Sequence, residues 1–163
     1  MRFKGADKRT GRTPGFIELL RKHDVALVNA DTAGKWPHME DVTADFVYAR
    51  LHGDEQLYVS GYTDEALDRW AAKFQRWRSG GEPNNAERVL DKPAKRAASR
   101  DVYVYFDNDV KVCSPRDAAG LAKRLGVKAQ DPDEILKPTE IKPGLTAREN
   151  WPAVRKRRSA TRQ

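Results

Sequence analysis

Short, uninterrupted apolar runs alternate along this chain with stretches whose apolar residues recur every three or four positions. The first periodic stretch opens at Pro14. Phe16, Leu19 and Leu20 fall at i, i+3 and i+4, and Lys22 and His23 suit the negative end of a helix dipole. Residues 25–31 form a mostly apolar run ending in Asp31, with Asn29 interrupting it. Such runs suit strands buried on both faces, as in parallel sheets. After a loop with Gly34 and Pro37, residues 46–53 are rich in Phe, Val and Tyr and predict a second strand, its polar residues crowded at the C-terminal end.

Thr63 then stands where a helix N-cap belongs, with Asp64 and Glu65 in the first turn. Leu67, Trp70, Ala71, Phe74 and Trp77 make one apolar stripe, the best-specified element of the chain. Residues 79–100 are rich in Gly, Pro, Asn and Lys/Arg without a period and predict a flexible linker. A third strand over 102–106 runs into Asp107-Asn108-Asp109. Ser114, Pro115 and Asp117 spell a helix start with a capping hydroxyl. Ala118, Leu121, Ala122 and Leu125 make its expected buried stripe, and Gly126 its end. Beyond about Val127 no period remains.

The order helix, strand, strand, helix, strand, helix predicts an α/β fold with a parallel sheet. Eight strand–helix units of a barrel take about 250 residues, seldom fewer than about 200. Three strands are too few to close one, and leave two edges and one face of the sheet uncovered. The expected organisation is a disordered basic lead over 1–14, a folded part over 15–127 containing the linker 79–100, and a disordered basic tail over 128–163.

A net charge of +7 would suggest a nucleic-acid partner, but its distribution changes that reading. Residues 1–12 carry +4, 78–100 carry +3 and 128–163 carry +4, whereas 13–77 carry −4 and 101–127 are neutral. A basic face on the folded part is therefore not expected, and phosphate contacts would come through the tails. The single cysteine, Cys113, excludes an intrachain disulfide and a multi-cysteine metal site. The apolar runs are too short to span a membrane, and the basic N-terminus lacks the apolar stretch of a secretory signal, so a cytoplasmic location is expected.

Several motifs, read in order, resemble one family. They are Ala30-Asp31-Thr32-Ala33-Gly34-Lys35-Trp36-Pro37, Thr43-Ala44-Asp45-Phe46-Val47-Tyr48-Ala49-Arg50-Leu51-His52-Gly53 and Val104-Tyr105-Phe106-Asp107-Asn108-Asp109, with Tyr58, Gly61 and Tyr62 between. Together they are similar to the YecE-like family, a domain of unknown function, over about Phe16 to Leu125. The resemblance implies a partial TIM-type (β/α) barrel, about its last three parallel strands with their helices. It also implies that earlier strands are missing, so that self-association or a chain supplying those strands would complete the barrel. No activity is established for the family; likeness of its barrel to sugar-isomerase and DNA-repair endonuclease barrels is analogy of fold alone.

Barrels carry their active sites on the loops after the strand C-termini. Those ends supply Asp31, Arg50, His52, Asp107, Asn108 and Asp109. Arg50 and His52 share one face by alternation, and Tyr103, Tyr105 and Asp107 another. The expectation is a polar mouth for an anionic or hydroxylated ligand, formed by Asp31, Arg50, His52, Asp107 and Asn108 with Arg50 as anchor. The competing reading is an internal ion-pair network that satisfies the barrel rim. Asp31, His52 and Asp107 are also of the types that bind zinc or manganese, although their spacing does not favour it. A metal-dependent, nuclease-like hydrolase completed by a partner and a nucleic-acid module working through the basic tails are the alternatives. Asp107-Asn108-Asp109 lacks the glycine and distal Glu of a calcium loop. His23, His38 and Cys113 read as incidental, whereas Trp36, Tyr58 and Tyr62 could stack on a ligand or simply lid the barrel. No cofactor is indicated: neither a Gly-rich phosphate loop nor a Ser/His/Asp spacing stands out.

Overall fold

In the computed structural model, residues 13–109 and 112–135 are described. The element order is α1 (Pro14–Lys22), β1 (Val28–Asp31), β2 (Phe46–Leu51), α2 (Asp64–Arg78), β3 (Asp101–Phe106), α3 (Ser114–Arg124) and α4 (Pro132–Ile135). The strands form one sheet in the order β1-β2-β3, and both pairings are parallel. Val28 is opposite Tyr48, and Tyr48 is opposite Tyr103.

Helices cover one face of this sheet. Val47, Ala49 and Leu51 of β2 are buried there with Val102, Val104 and Phe106 of β3 beside them, packed against α2 and Leu121 of α3. The stripe predicted for α2 is the core: Leu67, Trp70, Ala71, Phe74 and Trp77 are all buried. Trp70 and Phe74 stack at 5.3 Å, and Trp77 follows at 5.8 Å. Thr63 caps this helix as expected, its side chain accepting from the Ala66 N–H. The opposite face of the sheet is open. Val28, Phe46, Tyr48, Arg50, Tyr103 and Tyr105 lie on it by alternation, and Tyr103 and Tyr105 are 49% and 53% exposed.

Several expectations shift. The first strand begins at Val28 rather than at residue 25, because the Thr43 hydroxyl takes the local backbone groups, donating to the Val25 carbonyl and accepting from the Leu27 N–H. In α1 the buried residue is Ile17, and Leu19 is exposed. Ser114 does not cap α3. Its hydroxyl turns back to the Asn108 and Asp109 side chains, and Cys113 occupies the cap position, its side chain making no capping hydrogen bond. The buried residues of α3 are Ser114, Asp117 and Leu121, while Ala118 faces solvent. Gly126, with φ +65, ends that helix as predicted.

Residues 79–100 hold no helix or strand, as their lack of periodicity predicts. The segment expected to be a flexible linker is nonetheless tied to the sheet by three buried carboxylates. Glu40 accepts from the Glu87 N–H, and Asp41 from the N–H groups of Val89 and Leu90. Glu82, inside the segment, accepts from Val42 and Ala94. The Arg100 guanidinium closes the segment with bonds to the Gly81 and Lys95 carbonyls. These anchors precede β2 and β3 in the chain, so they lie at the N-terminal end of the sheet, the end that serves stability in barrels. The lead lies almost wholly outside the described residues, as does the tail beyond Ile135; within the tail's range Pro132–Ile135 is a short helix. No helix among the described residues is long and apolar enough to cross a membrane.

Candidate functional site

At the other end of the sheet, β2 and β3 hold their side chains in a regular relation. On the open face each β2 residue meets the β3 residue two positions beyond its register partner. Phe46 and Tyr103 meet edge to face at 5.8 Å, Tyr48 and Tyr105 stack at 5.2 Å, and Arg50 donates from Nη2 to Asp107 Oδ2. Diagonal neighbours of this kind are within reach of long and aromatic side chains. Because Arg50 lies opposite Tyr105, the two groups that alternation alone assigned to different faces occupy the same one.

Asp107 is the centre of the site. The ladder continues past the assigned strands, with His52 N–H bonded to the Asp31 carbonyl and Asp107 N–H to the Leu51 carbonyl. His52 is thereby placed beside Asp107, and its Nδ1 pairs with Asp107 Oδ1. The two atoms are in ion-pair contact without hydrogen-bond geometry, so the attraction operates when the imidazole is protonated. One carboxylate thus lies between two cationisable groups, and Arg50, 45% exposed in its side chain, faces solvent. Tyr58, in the left-handed region at φ +63, sets its ring edge-on to the His52 imidazole at 5.2 Å. A half-exposed arginine at such a rim suits an oxyanion.

Asp31 and Asn108 sit at the same end but point elsewhere. Asp31 Oδ2 accepts from the Tyr62 hydroxyl at 3.1 Å and from Trp70 Nε1 at 3.2 Å, and Oδ1 from the Ala33 N–H. Burial, reinforced by the Asp31 charge, pushes the Tyr62 hydroxyl far above the usual tyrosine range. Asn108 is fully buried, donating to the Ser60 carbonyl and Asp117 and accepting from Ser114. Its place in the expected mouth is corrected accordingly: a buried amide with both ends bonded holds loops together. The disfavoured metal candidates Asp31, His52 and Asp107 are not brought together as a trio either. Asp31 is spent on Tyr62 and Trp70, and no group of three metal-ligating side chains occurs among the described residues. Tyr62, read as a loop aromatic, is buried.

Asp117, unremarked beyond its place in a first helical turn, is a buried hub accepting from Tyr62 N–H and Asn108 Nδ2. Burial raises its pKa above 3.8, against the lowering effect of those two bonds. A carboxyl whose folded pKa is raised contributes stability below its unfolded pKa, and that contribution is lost as pH rises through the folded value. Asp117→Asn keeps an acceptor oxygen for both donors and cannot ionise. Its stability relative to wild type is therefore expected to rise with pH across that window, with a slope below the one-proton limit of about 1.4 kcal/mol per pH unit. Parallel urea melts at several pH values check this; parallel stability curves for the two proteins would refute it.

No curated protein matches the chain. Among solved structures it is similar to the crystal structure of a DUF72 family protein from Enterococcus faecalis, with a TM-score of 0.55 and 14% identity. That likeness covers 78% of this chain and 45% of the other, so the chain spans less than half the length of that relative. At this identity the likeness concerns fold alone. A sequence profile of DUF72, a protein of unknown function, matches residues 8–142, and on that match the chain belongs to the DUF72 family.

Proposed function

We propose that this chain supplies three strand–helix units of a (β/α) barrel and that Arg50, His52 and Asp107 form part of its ligand mouth, binding an anionic oxygen. The observation that carries the reading is the convergence of Arg50 and His52 on one carboxylate, Asp107, at the C-terminal end of a parallel sheet. In barrels that end bears the binding loops. The open sheet face and the 45% coverage of the solved relative fit a barrel completed by further strands. No reaction is assigned.

Inorganic phosphate is the probe. Titrated into the full chain, it is expected to shift the His52 imidazole signals in NMR saturably. Arg50→Met, at an exposed position, should weaken that binding by about tenfold or more, the scale of one charge-assisted hydrogen bond. Absence of any shift at His52, or equal affinity in the variant, would sink the proposal.

A further inference from the structure

Residues 13–77 are acidic in sum, yet Arg69, Lys73 and Arg76 fall at i, i+4 and i+7 and so stand along one side of α2. The 79–100 segment lies against that side and brings Arg88 and Arg96 to it. Two adjoining cavities open between helix and segment, of about 310 and 320 Å³. Arg69, Lys73 and Arg76 line the first with Asn84 and Asn85. Arg76, Arg88 and Arg96 line the second, so Arg76 stands at the boundary of the two. Strands that complete the sheet do not reach this groove. The apolar stripe of α2 faces the sheet, and α3 holds one flank of the helix through Arg124, which bonds Asp64 and Asp68. The other flank is the groove, already walled by this chain's own segment.

Three of the five cations have acid partners: Arg69 pairs with Asp54 at 3.7 Å, Lys73 with Glu40 and Arg88 with Glu82. Arg76 and Arg96 are exposed and form no ion pair among the described residues. Arg76 spends only Nε, on the Glu82 carbonyl at 3.3 Å, and its guanidinium lies against Gly81, where a Cβ would come within 3.0 Å of it. It is thus seated with both terminal nitrogens unbonded among the described residues. We propose that the groove binds a short polyanion of the diphosphate class, with one phosphoryl group in each cavity, Arg76 bridging them and Arg96 holding the second. A guanidinium fork suits phosphate oxygens, and a positive cleft concentrates anions. The Glu82 carboxylate also lines the second cavity, but its side chain is only 4% exposed and is engaged by the Val42 and Ala94 N–H groups and by Arg88. Acids limit the ligand's length: a longer polyanion running along α2 meets Asp54 beside Arg69 and then Glu65, one turn earlier on the same side.

Titration calorimetry on the full chain carrying Arg50→Met, in which the rim mouth is already weakened, reads the groove separately from that mouth. Pyrophosphate is expected to bind about tenfold more tightly than inorganic phosphate, the scale of one further charge-assisted hydrogen bond. Adding Arg76→Met should weaken pyrophosphate binding by about tenfold or more. Adding Arg96→Met instead should bring pyrophosphate down to the affinity of phosphate, and it removes no bond made among the described residues. Arg116→Met, at an exposed arginine of α3 outside the groove, should change neither affinity. Equal binding of the two anions, unchanged pyrophosphate affinity with Arg96→Met, or an equal loss with Arg116→Met overturns the groove. A single-stranded oligonucleotide that binds more tightly than pyrophosphate, and weakens with Arg76→Met, overturns the short-ligand class. The mouth is tested at His52 in the chain that keeps Arg50, so either site can fail without the other.

Discussion

Glu40→Ala is expected to lower the unfolding free energy by about 3–5 kcal/mol, the cost of stripping one partner from a buried ion pair. Glu40 is completely buried, and its Oε1 accepts from Lys73 Nζ at 2.6 Å while Oε2 accepts from the Glu87 N–H at 2.8 Å. Removing it strands an ammonium whose side chain is mostly buried, as well as a backbone donor. The Lys73 ammonium keeps only its place over the Trp70 ring, 5.3 Å from the centroid, as a partial substitute. Against a total stability of about 5–15 kcal/mol, such a loss should lower the midpoint of a thermal melt by on the order of 10 °C or more. Two further variants separate the causes. Glu40→Gln should lose less, since it retains an acceptor, and adding Lys73→Met to Glu40→Ala should recover part of the loss. A change within about 0.5 kcal/mol, the range of ordinary surface substitutions, would mean that the 79–100 segment does not depend on this anchor.

Asp31→Ala is expected to cost about 2–4 kcal/mol, because two buried donors, Tyr62 Oη and Trp70 Nε1, share its Oδ2 and would lose their acceptor together. Tyr62 Oη also accepts the Gly53 N–H, so the hydroxyl cannot simply turn to that group as a donor. Asp31→Asn retains one acceptor oxygen and should fall between wild type and alanine. Under conditions where the alanine variant remains folded, its phosphate affinity should match wild type, since Asp31 serves the helix α2 and not the Arg50 cluster. Chemical denaturation with a parallel phosphate titration tests both halves. A stable variant that has lost phosphate binding would return Asp31 to the ligand mouth.

Asp31 and Arg50 show why the candidate site was only half legible in the sequence. Both are polar residues at the end of a predicted strand, and position along the strand places both at the same rim. Whether a rim carboxylate faces a ligand or a helix depends on which face of the sheet its odd or even position selects, and on what covers that face. Asp31 and Asn29 fall on the helix-covered side, where Trp70 and Tyr62 wait; Arg50 and Asp107 fall on the open side. The relation between Arg50 and Tyr105 needed the register of β2 against β3, which depends on pairing across more than fifty residues. Asn108 and Ser114 failed for a different reason. Each has a common local role, loop ligand or helix cap, and each was drawn instead into a buried network with Asp117.

What the sequence by itself determined is everything governed by local period and local chemistry. The α2 stripe, its Thr63 cap, the Gly126 stop, the three apolar strand runs and their parallel order follow from side-chain spacing, because burying one helix face against one face of each strand leaves few alternatives. Tertiary structure alone decided the rest. It tied an aperiodic, cation-rich segment to the sheet through Glu40, Asp41 and Glu82, since a carboxylate forced out of water takes whichever backbone donors the fold brings to it. It also decided which rim residues meet: parallel register, invisible to any local window, places Arg50 and His52 on one carboxylate and two tyrosines beneath them.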